Sequence, residues 1–388
     1  MSSFLLIFLS LCVLDIVYSK SRFLSRILYR IPDILQRVVY IWAEIWYNPV
    51  KSIEERNTFM KQIRSAEEVF PLLHGCCGTY RLDGRTGFSR FTAEQLRYYT
   101  DRSGDDFVRS HASAGIYLEC ITDAEEISFT YRVYAKKGFY RIQSGFDIWE
   151  NGVLTAGFSP DMTGNEAEVH YSRRQKEPSV IRITFPSGVI VLPGTFSLGN
   201  AVPTAQEPKK ILFYGDSLTQ SAYMANPSLS WHVPVCQWME SEGLNRGIGS
   251  MIYDAASLPA DTDCLPETIF VEYGGNDLYR IPDTDKALAQ AEAYLQKLRR
   301  LYPGAETYVI TPDLGPRTGG TAEKWAREDA YCVSLAGIAR RYGMIPLAGR
   351  ELIPPMPVLY FEDMTHFNEG GSAIFANHLL YAMGWKRK

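Results

Sequence analysis

The spacing of apolar residues divides this chain of 388 residues into three stretches with different periods. Met1 to Leu14 carries no charge and includes the run Phe4-Leu5-Leu6-Ile7-Phe8-Leu9. Asp15 interrupts it, short of the about 20 apolar residues that a membrane-spanning helix needs. Set on a helix at about 100° per residue, Arg22, Arg26, Arg30, Asp33, Arg37 and Glu44 fall within an arc of about 80°. Opposite them lie Phe23, Ile27, Ile31, Leu35, Val38, Trp42 and Trp46, among others. A narrow basic stripe beside a wide apolar face suits a helix lying in a membrane interface. Docking on the rest of the protein or on a second subunit is the other reading, and Pro32 kinks the helix in either case.

From about Gly115 the period becomes two. Ile127, Phe129, Tyr131 and Val133 alternate with Ser128, Thr130, Arg132 and Tyr134, the pattern of a half-buried strand. The runs 180–185 and 189–192 flank Pro186-Ser187-Gly188 and read as a hairpin. Together with Gly145-Phe146-Asp147-Ile148-Trp149, these features predict an all-β sandwich. A linker at 202–208 closes it. Beyond the linker, strands at 211–214, 268–272, 307–310 and 344–347 alternate with helices at 285–301, 322–342 and 369–383. That alternation predicts a parallel sheet covered by helices, with reacting groups in loops at the carboxyl ends of its strands. The expected organisation is a membrane-prone leader (1–65), a β-sandwich (79–203) and an α/β catalytic domain (209–388).

Composition adds exclusions. With 46% hydrophobic and 22% charged residues the chain is globular, and a formal net charge of −4 leaves no basic footprint for nucleic acid. Residues 1–64 hold nine basic and five acidic residues, so that stretch is +4 and the remainder −8. Seven scattered cysteines form no C-x-x-C pair, so neither a zinc ribbon nor a thioredoxin-like site is indicated. No metal or cofactor is expected. The positive charge follows the first apolar run, where a signal peptide has it before. Membrane association through the N-terminus is therefore expected, with export after cleavage near Val17-Tyr18-Ser19 and a cytoplasmic location as alternatives.

Three short blocks carry the candidate chemistry. Gly215 lets the chain turn after the first α/β strand, and Ser217 then opens a helix with its hydroxyl presented above the sheet. Asn276, in Gly274-Gly275-Asn276-Asp277, stands after the strand at 268–272, where its amide can donate to developing negative charge. A serine hydroxyl becomes a competent nucleophile when a base takes its proton. His366 is the candidate base, with Asp363 three residues earlier placed to fix its tautomer. The other five histidines lack such a partner in sequence.

The ordered blocks GDSLT (215–219), NRGIGS (245–250), GGND (274–277) and DMTH (363–366) resemble the GDSL, or SGNH, hydrolase superfamily over about residues 209–388. The resemblance implies a flavodoxin-like three-layer α/β domain and a serine esterase mechanism. It assigns Ser217 as nucleophile, His366 as base and Asp363 as its orienting acid. It also implies an oxyanion hole built from the Ser217 N–H, a backbone N–H of the second block and the Asn276 side chain. One position departs from the pattern: Ser250 stands where the second block usually ends in glycine. Serine still supplies a backbone N–H, but its Cβ disfavours a positive φ. Gly249 is the alternative donor if the loop is one residue shorter. Gly145 to Trp149 looks like the G-x-D-L-Y motif of a jelly-roll-like sandwich that precedes the catalytic domain in one subgroup, and Leu229-Ser230-Trp231 also fits that subgroup.

The expected substrate is a small-molecule carboxylic ester, with a small acyl group on a sugar or other polar alcohol. The same triad serves an acyltransferase or a lysophospholipase-type enzyme, and a non-catalytic carbohydrate-binding protein is the alternative from another class. A membrane surface contacted through residues 22–46 is the expected partner.

Overall fold

The computed structural model describes residues 65–134, 144–205, 209–221, 223–262, 264–316 and 320–385. The expected leader and the segment 22–46 therefore lie outside the described residues. Among the described residues no helix is long and apolar enough to cross a membrane.

Strands β1 (Leu73–His74), β2 (Gly78–Leu82) and β3 (Arg85–Ser89) lead into helices α1 (Ala93–Arg102) and α2 (Gly104–His111). The sandwich follows, with β4 (Tyr117–Thr122), β5 (Glu126–Val133), β6 (Phe146–Glu150) and β7 (Val153–Phe158). It is completed by β8 (Ala167–Ser172), β9 (Ser179–Thr184), β10 (Val191–Ser197) and β11 (Val202–Pro203). One antiparallel sheet runs β1-β4-β9-β6-β7, with β11 also on β4, and the other runs β10-β5-β8. Ile127, Phe129, Tyr131 and Val133 all point into the core, as their alternation requires.

The expected hairpin at 186–188 does not form. β9 pairs with β4 and β6, whereas β10 pairs with β5 in the opposite sheet. Phe185, Ser187, Val189 and Ile190 are all fully buried, so this segment crosses from one sheet to the other through the interior. A hairpin turn would instead have set its tip in water.

The second layer system contains β12 (Lys210–Gly215), α3 (Ser217–Gln220), α4 (His232–Trp238) and β13 (Glu242–Gly247). Next come β14 (Thr268–Glu272), α5 (Gly275–Arg280), α6 (Thr284–Leu301) and β15 (Glu306–Ile310). The chain ends with α7 (Ala322–Arg341), β16 (Ile345–Leu347), α8 (Gly349–Leu352) and α9 (Glu369–Ala382). The five strands are parallel in the order β13-β12-β14-β15-β16. In chain order this is 2-1-3-4-5, the flavodoxin-like arrangement. The sheet is buried on both faces. Ile211 and Phe213 pack on one side with Trp231, Phe375 and Leu379, while Leu212 and Tyr214 pack on the other with Leu295, Leu298 and Leu335. Phe213, Phe270 and Tyr308, in register on neighbouring strands, stack at 5.3 and 5.4 Å between centroids.

Residues Gln62–Lys388 form one compact unit, so sandwich and α/β layers share buried contacts. The sandwich residue Asp147 is fully buried and accepts from Asn226 Nδ2 at 2.7 Å and from the Ser228 N–H and hydroxyl at 2.9 and 2.5 Å. Asn226 and Ser228 lie between α3 and α4, so the G-x-D motif fastens the sandwich to the segment that follows the Ser217 helix. Asp147→Ala removes the acceptor that takes these three donors across the junction. Urea unfolding is expected to show a loss of about 2–4 kcal/mol; a loss below about 0.5 kcal/mol, the usual size of a surface substitution, would contradict this role.

Candidate active site

Ser217 stands at the carboxyl end of β12, next to the point where successive strands depart to opposite sides of it. Gly215 makes the turn possible, since a Cβ there would lie 2.0 Å from Thr219 Oγ1 and 2.7 Å from the Glu272 carbonyl. Asp216 caps α3 by accepting from the Leu218 N–H at 3.0 Å, and its own N–H donates to the Glu272 carbonyl at 3.2 Å. Ser217 is thus the first residue of a single helical turn.

His366 arrives on the loop before α9. Its Nε2 lies 2.7 Å from Ser217 Oγ, and its Nδ1 lies 2.7 Å from Asp363 Oδ2. The other Asp363 oxygen accepts from the N–H groups of Thr365 and His366, each at 3.0 Å. A bond from Phe361 N to the His366 carbonyl at 2.8 Å closes this loop on itself. Tyr223 stacks on the imidazole with ring centroids 3.7 Å apart and planes 17° from parallel.

The second block folds as a turn, with Met251 N–H donating to the Ile248 carbonyl at 3.1 Å. Ser250 occupies its third position at φ 64°, the left-handed conformation that normally calls for glycine. For a residue with a Cβ this conformation costs about 1–2 kcal/mol. The Gly249 N–H is taken by Gln220 Oε1 at 2.7 Å, which removes it as an alternative donor. The Ser250 carbonyl accepts from Arg280 at 2.6 Å, and its N–H bonds to no other group among the described residues. Asn276, at the start of α5, donates through Nδ2 to Asp216 Oδ2 at 2.8 Å, leaving its second amide hydrogen available. Ser217, Ser250, Asn276 and His366 all line one cavity of about 920 Å³. Among the described residues no group of three or more His, Cys, Asp or Glu is disposed to hold a metal ion.

Residues 213–374 match the model of the GDSL-like Lipase/Acylhydrolase family. These residues carry a GDSL-like lipase/acylhydrolase domain. The protein is accordingly an enzyme of the ester-hydrolysing class. A search of curated proteins finds no match to the chain. Among solved structures, a salicylyl-acyltransferase from a tetracycline biosynthetic pathway aligns with a TM-score of 0.68 at 18% identity, covering 80% of this chain and 93% of that one. A family two carbohydrate esterase with a carbohydrate-binding domain from Corynascus thermopiles (Myceliophthora fergusii) aligns at 0.57 and 15%, covering 71% and 95%. A family two carbohydrate esterase from Cellvibrio japonicus aligns at 0.56 and 14%, covering 84% and 98%. At these identities the likeness is one of fold.

In this GDSL-like domain the floor of the cavity is acidic. Burial, reinforced by Asp277 and Asp313, pushes the Asp216 carboxyl up to about 7. Burial, with Asp216 next to it, raises Glu272 well above the carboxylate range, and burial also raises Asp313. Carboxyls that hold protons oppose a developing oxyanion less than carboxylates do. Residues with no signal in the sequence complete the site. Tyr223 and Gln220 matter through contacts that only the fold creates, and Asp105 and Arg109 of α2 reach the cavity from the N-terminal region.

Burial lowers the His366 pKa below the ordinary histidine value, and Asp363 partly restores it. Burial acts to raise Asp363, but the bonds from His366 and Thr365 outweigh it and hold the carboxylate below its usual range. An NMR titration of His366 should therefore show protonation below about pH 6.5. Asp363→Asn should move that midpoint lower still, since it removes the group that favours the imidazolium. A midpoint that rises in this variant would contradict the pairing.

Proposed function

We propose that the protein is a serine esterase in which Ser217 attacks the carbonyl carbon of a carboxylic ester. His366 takes the Ser217 proton through Nε2, and Asp363 holds the imidazole and its positive charge through Nδ1. The carbonyl electron pair moves onto oxygen, where the N–H groups of Ser217 and Ser250 and the Asn276 amide stabilise it. When the tetrahedral species collapses, His366 returns the proton to the departing alcohol and the acyl group remains on Ser217. Water, deprotonated by the same imidazole, then releases the acid. The observation that carries this reading is the 2.7 Å approach of His366 to Ser217 inside a cavity of about 920 Å³.

A small acyl group on a sugar or another polyhydroxy alcohol is the proposed substrate. Support comes from the carbohydrate esterases that share the fold, and from the polar groups Asp105, Arg109, Lys324, Arg327 and Glu328 along the cavity. A second reading, acyl transfer to an alcohol acceptor, is favoured by the apolar lining of Leu218, Leu278, Leu314 and Met364 and by Tyr279, which is 88% exposed at its rim. Such a surface suits an acceptor with an apolar face that displaces water from the acyl-enzyme.

Turnover of short-chain esters should fall by about 10⁴-fold or more in Ser217→Ala and by about 10²–10³-fold in Asn276→Ala. Undiminished hydrolysis by Ser217→Ala would remove the proposed nucleophile. Added alcohols that divert the acyl group without changing the acylation rate would identify the transferase. The basic, apolar segment 22–46 supports attachment to a membrane surface. A chain lacking residues 1–50 should then leave the membrane fraction, and continued sedimentation with membranes would refute the attachment.

A further inference from the structure

We propose that Tyr223 is a positioning residue for the base, its ring covering one face of His366 and stabilising the imidazolium that forms when Ser217 gives up its proton. This rests on the reading of His366 as the general base. The two rings stack with centroids 3.7 Å apart and planes 17° from parallel, and Tyr223 lines the same cavity as Ser217 and His366. The fold brings Tyr223 there by anchoring the chain on either side of it. Before it, Ser221 ends α3 in the left-handed conformation at φ 56°. The Ser221 N–H donates to the Ser217 carbonyl at 2.9 Å, and its hydroxyl to the Leu218 carbonyl at 3.1 Å. After it, the Met224 N–H returns to the Ser221 carbonyl at 3.2 Å, and Met224 is buried. The Ala225 carbonyl then accepts from the Gly145 N–H at 2.9 Å, and Asn226 is held by Asp147. Tyr223 thus lies on a short span tied to α3 at one end and to the sandwich at the other.

The stack supplies what the hydrogen bonds of His366 do not. Those bonds, to Ser217 Oγ and Asp363 Oδ2 at 2.7 Å each, are made at the ring nitrogens and act at the edge of the imidazole. Taking the Ser217 proton spreads a positive charge over the whole ring, and burial disfavours that charge. Asp363 offsets it from the edge at Nδ1. An aromatic face within about 6 Å attracts a cation, more strongly when the cation is desolvated, and Tyr223 presents that face to the imidazolium. The neutral imidazole gains less, so the contact favours the form that proton transfer creates. Asp363 is the charged group that acts on the imidazole. The other ionisable groups lining the cavity stand on α2 (Asp105, Arg109), at the strand ends (Asp216, Glu272, Asp313), on α5 (Tyr279) and on α7 (Lys324, Arg327, Glu328). A change confined to Tyr223 leaves all of them in place. A ring that served only as cover would have the opposite effect on His366, because losing it would hydrate the imidazole and raise its proton affinity. Losing the aromatic face lowers that affinity, so the sign of the change tells the two roles apart.

The test joins an NMR titration of His366 to the pH profile of kcat/KM for a short-chain chromogenic ester, on the full chain. Tyr223→Leu keeps an apolar cover and removes the aromatic face. It should lower the His366 midpoint by about 0.5–1 pH unit, so that the acid limb of kcat/KM moves to lower pH. On the plateau it should reduce kcat about 3- to 20-fold. Tyr223→Phe restores the face and should keep the midpoint and most of kcat. A midpoint that stays or rises in Tyr223→Leu, or a Tyr223→Phe that behaves as Tyr223→Leu does, would overturn the proposal. Where Tyr223→Leu fails to fold, the unaltered protein decides: the ring current of Tyr223 should shift the His366 Cε1 proton upfield, and an unshifted resonance would also overturn it. Ser217→Ala run alongside separates the two readings. If it retains activity, the esterase mechanism falls, and the titration, which needs no turnover, still decides whether Tyr223 acts on the imidazole.

Discussion

A helix of one turn has no stability of its own in water, because its nucleation cost is met by a single hydrogen bond. Ser217 rides on such a helix, so its position is set by whatever is bonded to residues 216–221. Those bonds come from every side of the domain. The Asp216 carboxyl caps the Leu218 N–H, and the Leu218 carbonyl accepts from Trp231 Nε1 at 3.1 Å. The Thr219 hydroxyl donates to Glu272 at 2.9 Å, while its carbonyl accepts from Asn245 Nδ2 at 2.7 Å. Gly247 must lack a side chain for β13 to lie against this turn, since a Cβ there would sit 2.4 Å from the Gln220 nitrogen. Ser217 is thus held by strands β12, β13 and β14 and by the segment leading into α4.

The same constraint explains why the N-terminal region belongs to the site. β13 is the strand beside β12, and its Glu242, Asn245 and Arg246 side chains are buried. Arg90 is fully buried and bonds to four carbonyls, those of Ala112, Arg109, Asn245 and Gly247. A desolvated guanidinium is tolerated when dipoles replace its water, and these four carbonyls do that. In return the carbonyls gain a fixed donor along the strand that leads to Ser250. Asp147 performs the matching task on the other side of the junction, beyond α3. The sandwich therefore acts on the active site through backbone placement, whatever it binds.

These particulars mark what the sequence could disclose. Thr268–Glu272 was legible because a parallel strand buried on both faces reads as a continuous apolar run, and α6, α7 and α9 were legible from their helical spacing. β13 was not, because Glu242, Asn245 and Arg246 are polar groups buried by partners far away in the chain. Arg90 stands 155 positions from Asn245. The helices α1 and α2 lay within a stretch read as sandwich, and Pro186-Ser187-Gly188 looked like a turn although the chain there crosses the core. In the site, Ser217, Asn276, Asp363 and His366 were legible because each lies in a short local motif. Tyr223 and Gln220 had no such motif; their roles arise from ring stacking and from a bond across 29 positions.

Asp216 carries two demands that pull against each other. Ionised, it holds the Leu218 N–H and the Asn276 amide more strongly, since charge-assisted bonds are about twice as strong as neutral ones. In the proposed mechanism the same charge opposes the negative charge that develops on the carbonyl oxygen during attack. Burial settles the conflict by raising the proton affinity of Asp216 to about 7, with Glu272 and Asp313 raised beside it. The acids around Ser217 thus keep their geometry while giving up part of their charge. His366 is shifted in the opposite sense by burial, which favours the neutral imidazole, and its Nε2 lies 2.7 Å from Ser217 Oγ. One physical cause, burial around the carboxyl end of β12, therefore raises the proton affinity of the acids and lowers that of His366.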